Sequence, residues 1–336
     1  MFNLSKSVGW SATSGIFSEP DKSDVQKWGD RGFVLPHSKH FADPGRGLSG
    51  EPLLPTPEQV RAGGRDPADP DTCSVTRPPP VEMPSLALLV KYGSQVSAAE
   101  AERLVLVRKH LPAVPVPEVY GWCEDGEQTF AYTELVEGRA LEGSWDRLTE
   151  DERVSIRLEL RGTADAWRGL PQKLFSDVPF TGHVGKRPLP DWISVNSCAP
   201  TAGPFEGVSR FHDWFTSSFG PRQNEDEDEP VLSRPPRPPH PYRSQLPDDV
   251  PIAFTHADLH PSNILISRQP SDATRVASVV DWQQAGWRPA YWEHRRSRRS
   301  WSEALRDTWA EKYLPTVLEP CICYDYRDYL ISAYGM

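Results

Sequence analysis

Apolar and polar positions alternate along the chain in patterns that predict buried strands and amphipathic helices from about residue 86 onward. Residues 86–93 form an apolar run that ends at Lys91 and a glycine, a pattern typical of a buried strand. Residues 98–111 follow Ser97, a residue type favoured as a helix cap, and carry their apolar residues on one helical face. The pattern therefore predicts a strand carrying Lys91 that leads into a helix carrying Glu100.

The same kinds of pattern predict the later elements. Residues 118–123 and 129–135 are predicted strands separated by a turn-forming segment. Residues 151–167 have helical periodicity, and the predicted core positions of this helix are Ile156, Leu160, Ala164 and Trp167. Three short apolar runs give the last predicted strands, at residues 250–254, 264–266 and 276–280.

Length and composition predict more than one packing unit. The 336 residues exceed the size at which a single core stops growing, about 250–300 residues. Residues 1 to about 70 are rich in Gly, Pro, Asp and Ser, and residues 1–51 are predicted to form a poorly ordered leader. Shortly after it, Thr56, Pro57 and Gln59 have the spacing of a helix start. Residues 221–247 combine an acidic run with clustered prolines and are predicted to be a disordered insertion.

Charge and cysteine content exclude several function classes. A net charge of -10 argues against a protein that binds the nucleic-acid backbone. The arginines at 295, 296, 298 and 299 are predicted to form a solvated helix face. Five scattered cysteines indicate reduced intracellular thiols, and the Cys321–Cys323 spacing is too short for a zinc knuckle. No apolar stretch of about 18 residues occurs, so no membrane partner is expected and a soluble cytoplasmic protein is predicted.

Three polar residues near the last predicted strands carry the strongest chemical signal. Asp258 and Asn263 lie five residues apart on one predicted loop, and Asp281 follows 18 residues later at a strand end. Phosphoryl transfer needs a carboxylate that orients the attacking hydroxyl, together with oxygen ligands that hold magnesium on the nucleotide phosphates. The trio supplies groups of these kinds. Protein kinases use the same order of Asp, Asn and Asp along the chain.

The loop that begins at His256 departs from the protein-kinase pattern in a consistent direction. It has the sequence His-Ala-Asp-Leu-His, and Asp281 is followed by Trp-Gln instead of Phe-Gly. It thereby resembles the aminoglycoside phosphotransferase and choline kinase-like family, and other segments resemble fungal phosphotransferase-family proteins. The similarity covers roughly residues 52–334. It implies an α+β, two-lobed protein-kinase-like fold with a small β-rich N-lobe at 52–136 and a larger, mainly helical C-lobe at 137–336.

The resemblance also implies roles for individual residues. Asp258 would be the catalytic residue, and Asn263 and Asp281 would bind Mg²⁺. Lys91 would contact the ATP phosphates, held by Glu100 in preference to Glu102, because residues two apart on a helix point in different directions. Backbone groups of Glu134 and Val136 would bind adenine. His256 and His260 complete the predicted nucleotide-site set, His256 as a brace of the loop and His260 as a brace or a phosphate neighbour.

Two features outside this set leave alternatives open. Glu293 is predicted to be a helix cap or a buried ion-pair partner of an arginine, in preference to a substrate contact. The tryptophans at 282, 287 and 292 are predicted to be core and groove wall. In addition, no GxGxxG loop precedes the strand of Lys91, so the means of covering the phosphates stays open.

The sequence therefore predicts an ATP- and Mg²⁺-dependent enzyme that transfers a phosphoryl group to a hydroxyl of a small molecule. The alternative is a non-catalytic protein of the same fold that binds a nucleotide or a partner. Intact metal residues favour the enzyme, whereas the absent glycine-rich loop favours the alternative. A protein substrate is the least favoured, because the segment after Asp281 is short and rich in tryptophan. The identity of the acceptor is not encoded in any motif.

Overall fold

The fold is described from a computed structural model. The structure describes residues 26–27, 32–34, 54–65, 74–186, 188–189, 203–217, 241–268, 273–298 and 308–320. Within this part of the chain, none of the helices combines the length and the apolar character needed to cross a bilayer. The predicted Cys321–Cys323 pair and the acidic run of the insertion lie outside the described residues.

Strands and helices alternate along the described chain. The strands are β1 Gln26–Lys27, β2 Gly32–Val34, β3 Val81–Met83, β4 Leu88–Gly93, β5 Val119–Asp125, β6 Gln128–Glu134, β7 Arg139–Ala140, β8 Phe180–Thr181, β9 Phe205–Glu206, β10 Ile252–Thr255, β11 Ile264–Arg268, β12 Thr274–Val279 and β13 Gly286–Pro289. The α-helices are α1 Pro57–Gly64, α2 Ala98–His110, α3 Leu141–Ser144, α4 Glu150–Arg168, α5 Gly207–Ser217, α6 Trp292–Ser297 and α7 Leu314–Val317, the last preceded by a π-helical turn, Trp309–Tyr313.

An antiparallel sheet forms the N-terminal lobe, in the strand order β1-β2-β5-β6-β4-β3. Side chains of a strand alternate between the two faces of its sheet. On β4, Leu88 and Val90 are therefore buried in a core with Tyr132, whereas Leu89 and Lys91 face the opposite side and line a cleft. The alternation in β4 thus directs Lys91 towards the second lobe.

The strands β1 and β2 lie within residues 1–51, the predicted poorly ordered leader. Gly32 pairs with Cys123, so β2 extends the sheet beyond β5. A strand of two or three residues is too short to show a periodic pattern, which is why the sequence did not indicate it. The other residues of 1–51 lie outside the described part of the chain.

The longest helix of the described chain, α4, follows the predicted pattern closely. Thr149 caps it: its side chain accepts a hydrogen bond from Glu152 N, and the Glu152 side chain accepts one from Thr149 N. The four predicted core residues, Ile156, Leu160, Ala164 and Trp167, are fully buried. This helix forms the centre of the C-terminal lobe, against which β12, β10 and α7 pack.

Short strands carry the polar loops of the C-terminal lobe. Strand β10 pairs with β13, while β11 lies between β12 and β7, and all of these pairs are antiparallel. Asp258 and Asn263 lie on the connection from β10 to β11, and Asp281 directly follows Val280 at the end of β12. Two adjacent strand ends thereby bring together residues that are 18 or more positions apart.

The end of the predicted insertion is ordered. Residues 218–240 are outside the described part, but Pro241–Gln245 forms a 3₁₀ turn. Arg243 in this turn lies 2.8 Å from Asp213 and 2.9 Å from Asp248, and Leu246 is buried. The ion pair between Arg243 and Asp213 joins this end of the predicted insertion to α5.

The architecture confirms the predicted α+β class, with a small β-rich lobe followed by a larger lobe that is mainly helical in its described part. The Thr56 capping box is also present, with Thr56 N and Gln59 N each bonded to the other residue's side chain. One large core cluster includes residues of both lobes, among them Leu104 on α2 and Trp282 after β12. The cleft lies beside this cluster.

Candidate active site

A cleft of about 390 Å³ lies between the sheet and the C-terminal lobe. Cavities of roughly 300–1,000 Å³ are typical of small-molecule sites. One end is apolar, with Leu89 from the N-terminal lobe and Leu265 from the C-terminal lobe, and includes the interlobe segment 134–136. The other end is charged, and its lining includes Lys91, Glu100, Asn263 and Asp281.

The ammonium group of Lys91 lies between two carboxylates. Its Nζ atom is 2.7 Å from Glu100 Oε1 and 2.9 Å from Asp281 Oδ1. Burial alone would lower the pKa of Lys91, but the two carboxylates outweigh it and raise the pKa above the ordinary lysine value. Lys91 is therefore a permanent cation in this cleft. Of the two candidate glutamates on α2, Glu100 makes the contact.

Asp281 occupies a strained position at the end of its strand. Its backbone is left-handed, with φ 63° and ψ 55°, a conformation uncommon for residues other than glycine. The following turn is anchored by Trp282, which is fully buried and whose indole N–H donates to Val279 O at 2.9 Å. Burial would raise the pKa of Asp281, but Lys91 and Arg77 lower it below the ordinary value. Asp281 is thus held as a carboxylate.

Asp258 and Asn263 are joined directly. Asn263 Nδ2 donates to the Asp258 backbone carbonyl at 2.9 Å and to the Asp258 carboxylate at 3.3 Å. With its nitrogen engaged in this way, Asn263 keeps its side-chain oxygen as an acceptor. Val280 N donates to Asn263 O at 2.9 Å, which connects the loop to the residue before Asp281. These hydrogen bonds hold Asp258, Asn263 and Asp281 close together, although Asp281 lies 18 residues after Asn263 along the chain.

Both histidines of the loop serve as braces. His256 is fully buried; its Nε2–H donates to Val280 O at 3.0 Å and its Nδ1 accepts from Asp258 N at 3.2 Å. His260 Nδ1 accepts from Ser262 N at 3.1 Å, at the start of the 3₁₀ turn Pro261–Asn263. Burial lowers the pKa of His260. Hydrogen bonds of His256 thus connect Asp258 to the strand that carries Asp281.

Glu293 proves to be a support of the same loop. It is fully buried on the first turn of α6 and accepts hydrogen bonds from His256 N at 2.6 Å and Ala257 N at 3.0 Å. Trp167 Nε1 donates a third bond at 3.2 Å. The sequence offered a cap or an ion pair with an arginine. The contact observed is with backbone N–H groups 36 and 37 residues away, for which the sequence contains no local signal.

The prediction of a solvated arginine face was wrong for Arg295 and Arg296, whereas Arg298, directly after α6, is partly exposed. Arg295 and Arg296 are buried, at 6% and 5% exposure. Arg296 Nε donates to Ala257 O at 3.2 Å and its Nη2 donates to Gln284 Oε1 at 2.7 Å. The guanidinium group of Arg296 is buried because it donates to the Ala257 carbonyl and to the Gln284 side chain; Arg299 lies outside the described residues. The prediction that Trp282, Trp287 and Trp292 are core residues is confirmed, since each is at most 1% exposed.

The predicted adenine-binding residues lie at the apolar end. Glu134 and Val136 both line the cleft. Glu134 N donates to Glu118 O at 2.8 Å, while the Glu134 side chain accepts from Glu118 N at 3.0 Å. The next residue, Leu135, donates its N–H to Ala87 O at 2.9 Å. These bonds fix the course of the interlobe segment along the cleft.

The donor groups fit a magnesium ion. Mg²⁺ prefers oxygen ligands and is commonly bound by one or two carboxylates together with substrate phosphates. Asp281 supplies a carboxylate and Asn263 an amide oxygen at the charged end of the cleft. Lys91, which lies between Asp281 and Glu100, supplies positive charge for anionic oxygens.

Comparison with solved structures finds similarity to aminoglycoside phosphotransferases. These include a thermostable mutant of APH(4)-Ia in ternary complex with AMP-PNP and hygromycin B, at 19% identity and TM-score 0.38, over 62% of this chain and 63% of that one. A type VIII aminoglycoside-3'-phosphotransferase has 20% identity and TM-score 0.39, over 74% and 77%. APH(3'')-Id from Streptomyces rimosus ATCC10970 has 17% identity and TM-score 0.40, over 74% and 84%.

The chain thus spans less than two thirds of the APH(4)-Ia structure. No curated protein sequence matches the chain closely enough to count as a relative. The model of the family described as phosphotransferase enzymes, APH, matches residues 93–320, which is more than half of the 336 residues. The matched region includes α2, the interlobe segment, the loop of Asp258 and the end of strand β12. The chain therefore belongs to the phosphotransferase enzyme family.

Proposed function

We propose that this chain transfers the γ-phosphoryl group of ATP to a hydroxyl group of a small molecule, with Mg²⁺ as cofactor. The observation that carries the proposal is the cluster at the charged end of the cleft, where Lys91 Nζ bridges Glu100 and Asp281 and where Asn263 is bonded to Asp258. Family membership supports the reaction class. A cytoplasmic location, where ATP is available, accompanies the proposal.

The cleft suggests how the nucleotide would lie. Adenine suits the apolar end, between Leu89 and Leu265, with backbone groups of Glu134 and Val136 as its hydrogen-bond partners. The phosphates would then extend towards Lys91. Because Glu100 holds the same ammonium group at 2.7 Å, Lys91 can exchange Asp281 for a phosphate oxygen while keeping one carboxylate partner.

Asp281 and Asn263 are the proposed ligands of magnesium. When bound, the ion supplies positive charge that neutralises the β- and γ-phosphate oxygens. Asn263 has a second task, since its amide nitrogen orients the Asp258 carboxylate. His256 and Glu293 keep the loop in register with the strand of Asp281.

In the proposed step the acceptor oxygen attacks the γ-phosphorus atom. The bond from that phosphorus to the β–γ bridging oxygen breaks, and the electron pair leaves with ADP. The hydroxyl proton passes to the carboxylate of Asp258, which is partly exposed and therefore accessible to an acceptor. Positioning and electrostatics, more than covalent chemistry, supply the catalysis in this class of reaction.

A screen for acceptor-stimulated ADP release tests this proposal. Amino alcohols, sugars and aminoglycosides would be offered with Mg·ATP to the full chain and to Asp258→Asn. A general base contributes typically 10²–10⁴-fold, so the variant should lose at least about a hundredfold in turnover. Asp151→Asn, the same change at an exposed position of α4, is the matched control and should leave turnover unchanged. Undiminished turnover in Asp258→Asn would contradict the assigned role.

The second candidate is a nucleotide-binding protein without transfer activity. The absence of a GxGxxG motif before the Lys91 strand favours it. It predicts that Mg·ATP stabilises the chain against thermal unfolding while ADP release stays at background with every acceptor. The enzyme proposal predicts stabilisation together with stimulated ADP release.

A further inference from the structure

Three residues of the segment 74–80 line the cleft, namely Arg77, Pro78 and Pro80, and the reaction scheme has no role for the arginine. This segment directly precedes β3, on the N-terminal side of the Lys91 strand. We propose that Arg77 binds the terminal phosphates of the nucleotide and supplies the phosphate cover that the missing glycine-rich loop would otherwise give. This inference rests on the proposed ATP-dependent function.

The backbone of the segment is fixed to the Lys91 strand and its neighbours. Ser94 N donates to Val75 O at 3.2 Å, and Gln95 N donates to Thr76 O at 2.9 Å. The Gln128 side chain donates to Val75 O at 3.0 Å. The segment therefore has a defined place against the sheet, because it is bonded to Ser94 and Gln95, which directly follow the strand that carries Lys91.

The conformation of Arg77 is constrained on both sides. Its backbone N–H donates to the Ser74 hydroxyl at 3.4 Å, which closes a turn. Residues 78–80 are all proline, and each proline fixes its own φ angle and restricts the residue before it. The backbone thus presents the arginine at the cleft, while its long side chain stays half-exposed, at 50%. A side chain of this kind can change partners without a change in the fold.

Arg77 and Lys91 share one carboxylate. Arg77 Nη2 lies 3.7 Å from Asp281 Oδ2, and Lys91 Nζ lies 2.9 Å from Asp281 Oδ1. Each oxygen of Asp281 therefore faces a cation, although Asp281 is the proposed ligand of magnesium. A metal ion on this carboxylate would displace both cations, and the nearest anions available to them are the phosphates that accompany the metal. Guanidinium groups match phosphate oxygens with two parallel hydrogen bonds.

If Arg77 exchanges Asp281 for the phosphates, its contribution to binding should increase with the number of phosphates on the ligand. Arg77 should contribute nothing to the binding of adenosine, which has no phosphate, and most to the binding of ATP. A surface arginine that only stabilises the lobe would show no such dependence on phosphate number. Asp281 would be covered by Arg77 before the nucleotide binds, and the same arginine would cover the phosphates afterwards.

Calorimetric titration of the full chain with Mg·ATP, Mg·ADP and adenosine tests the inference. Arg77→Ala should weaken Mg·ATP binding about tenfold or more and leave adenosine affinity within about twofold, as expected for a charge-assisted contact. Arg77→Lys keeps the charge and should recover part of the loss. Arg161→Ala is the matched control, because Arg161 is similarly exposed, at 60%, on the surface of α4.

Each outcome decides between alternatives. Equal Mg·ATP affinity in Arg77→Ala and in the unaltered chain would overturn the role of Arg77 while leaving the proposed function intact. An equal loss for adenosine and ATP would also overturn it, because the arginine would then act on the shape of the lobe. Failure of the unaltered chain to bind Mg·ATP would overturn the proposed function and this inference together.

Discussion

Replacement of Glu293 by glutamine tests how the loop that carries Asp258 is held in place. The carboxylate is fully buried and accepts three hydrogen bonds, from His256 N, Ala257 N and Trp167 Nε1. Glutamine has nearly the same shape but a single acceptor oxygen. If that oxygen keeps the two donors at Oε2, then its NH₂ group faces the N–H of Ala257, and two donors meet in a buried site.

The expected cost can be estimated from these contacts. A hydrogen bond to a charged group contributes roughly 1.5–3 kcal/mol, and a buried donor left without a partner costs roughly 1–3 kcal/mol. Glu293→Gln should therefore lower the free energy of unfolding by about 3 kcal/mol. With a urea dependence of about 3 kcal/mol per molar for a chain of this size, the midpoint should fall by about 1 M. Asp258 directly follows Ala257, so turnover should fall as well.

Urea unfolding followed by tryptophan fluorescence measures the shift, since Trp167 and Trp282 are buried beside this loop. Glu311→Gln makes the same chemical change at an exposed position of the C-terminal lobe and should alter stability by less than about 0.5 kcal/mol. A midpoint in Glu293→Gln equal to that of Glu311→Gln would show that the three hydrogen bonds contribute nothing to stability, contrary to the role given to Glu293.

Two further predictions concern positions outside the reacting groups. A Cβ atom added at Gly93 would lie 2.3 Å from Thr76 O at a φ of 139°, so Gly93→Ala should displace the segment of Arg77 and lower both the melting temperature and Mg·ATP affinity. Gly143→Ala, where a Cβ meets nothing within 4 Å, should change neither, and an unchanged Gly93→Ala would contradict the packing described. Hydrogen bonds from Thr274 and Thr149 lower the pKa of Glu152 from 4.5 to about 2, so their stabilisation is complete above pH 4.5 and disappears as the pH falls to 2. Thr274→Val should therefore lose stability near pH 7 but approach the unaltered chain near pH 2, as measured by urea unfolding at each pH; a constant difference would contradict this.

The parts of the fold that could be predicted are those whose signals are local. Helix α4 has a capping residue, helical periodicity and four core residues within 20 positions, and β4 has a continuous apolar run. The trio of Asp258, Asn263 and Asp281 was also visible, because its order along the chain matches the Asp, Asn and Asp of the protein-kinase signature. In α4 and β4, the residues within the element and directly beside it are sufficient to predict the element.

The remainder depends on contacts between distant segments. The charge of Glu293 was evident, but its backbone partners lie 36 and 37 residues away, and nothing in the sequence points to N–H groups as partners. The arginines of α6 have the composition of a solvated face, and it is the Ala257 carbonyl and Gln284 that account for the burial of Arg296. Arg77 stands before a proline run, and no motif connects it to Asp281. The ion pair between these two residues is evident only in the structure.

Asp281, Asn263 and Lys91 are proposed to form a site for a magnesium-bound nucleotide. Calorimetric titration of the full chain with ATP, first with excess Mg²⁺ and then with EDTA, tests this most directly. ATP binding should weaken at least about tenfold without Mg²⁺, and this metal dependence should be lost in Asp281→Asn. Equal ATP affinity in Mg²⁺ and in EDTA, or no binding in either, would contradict it.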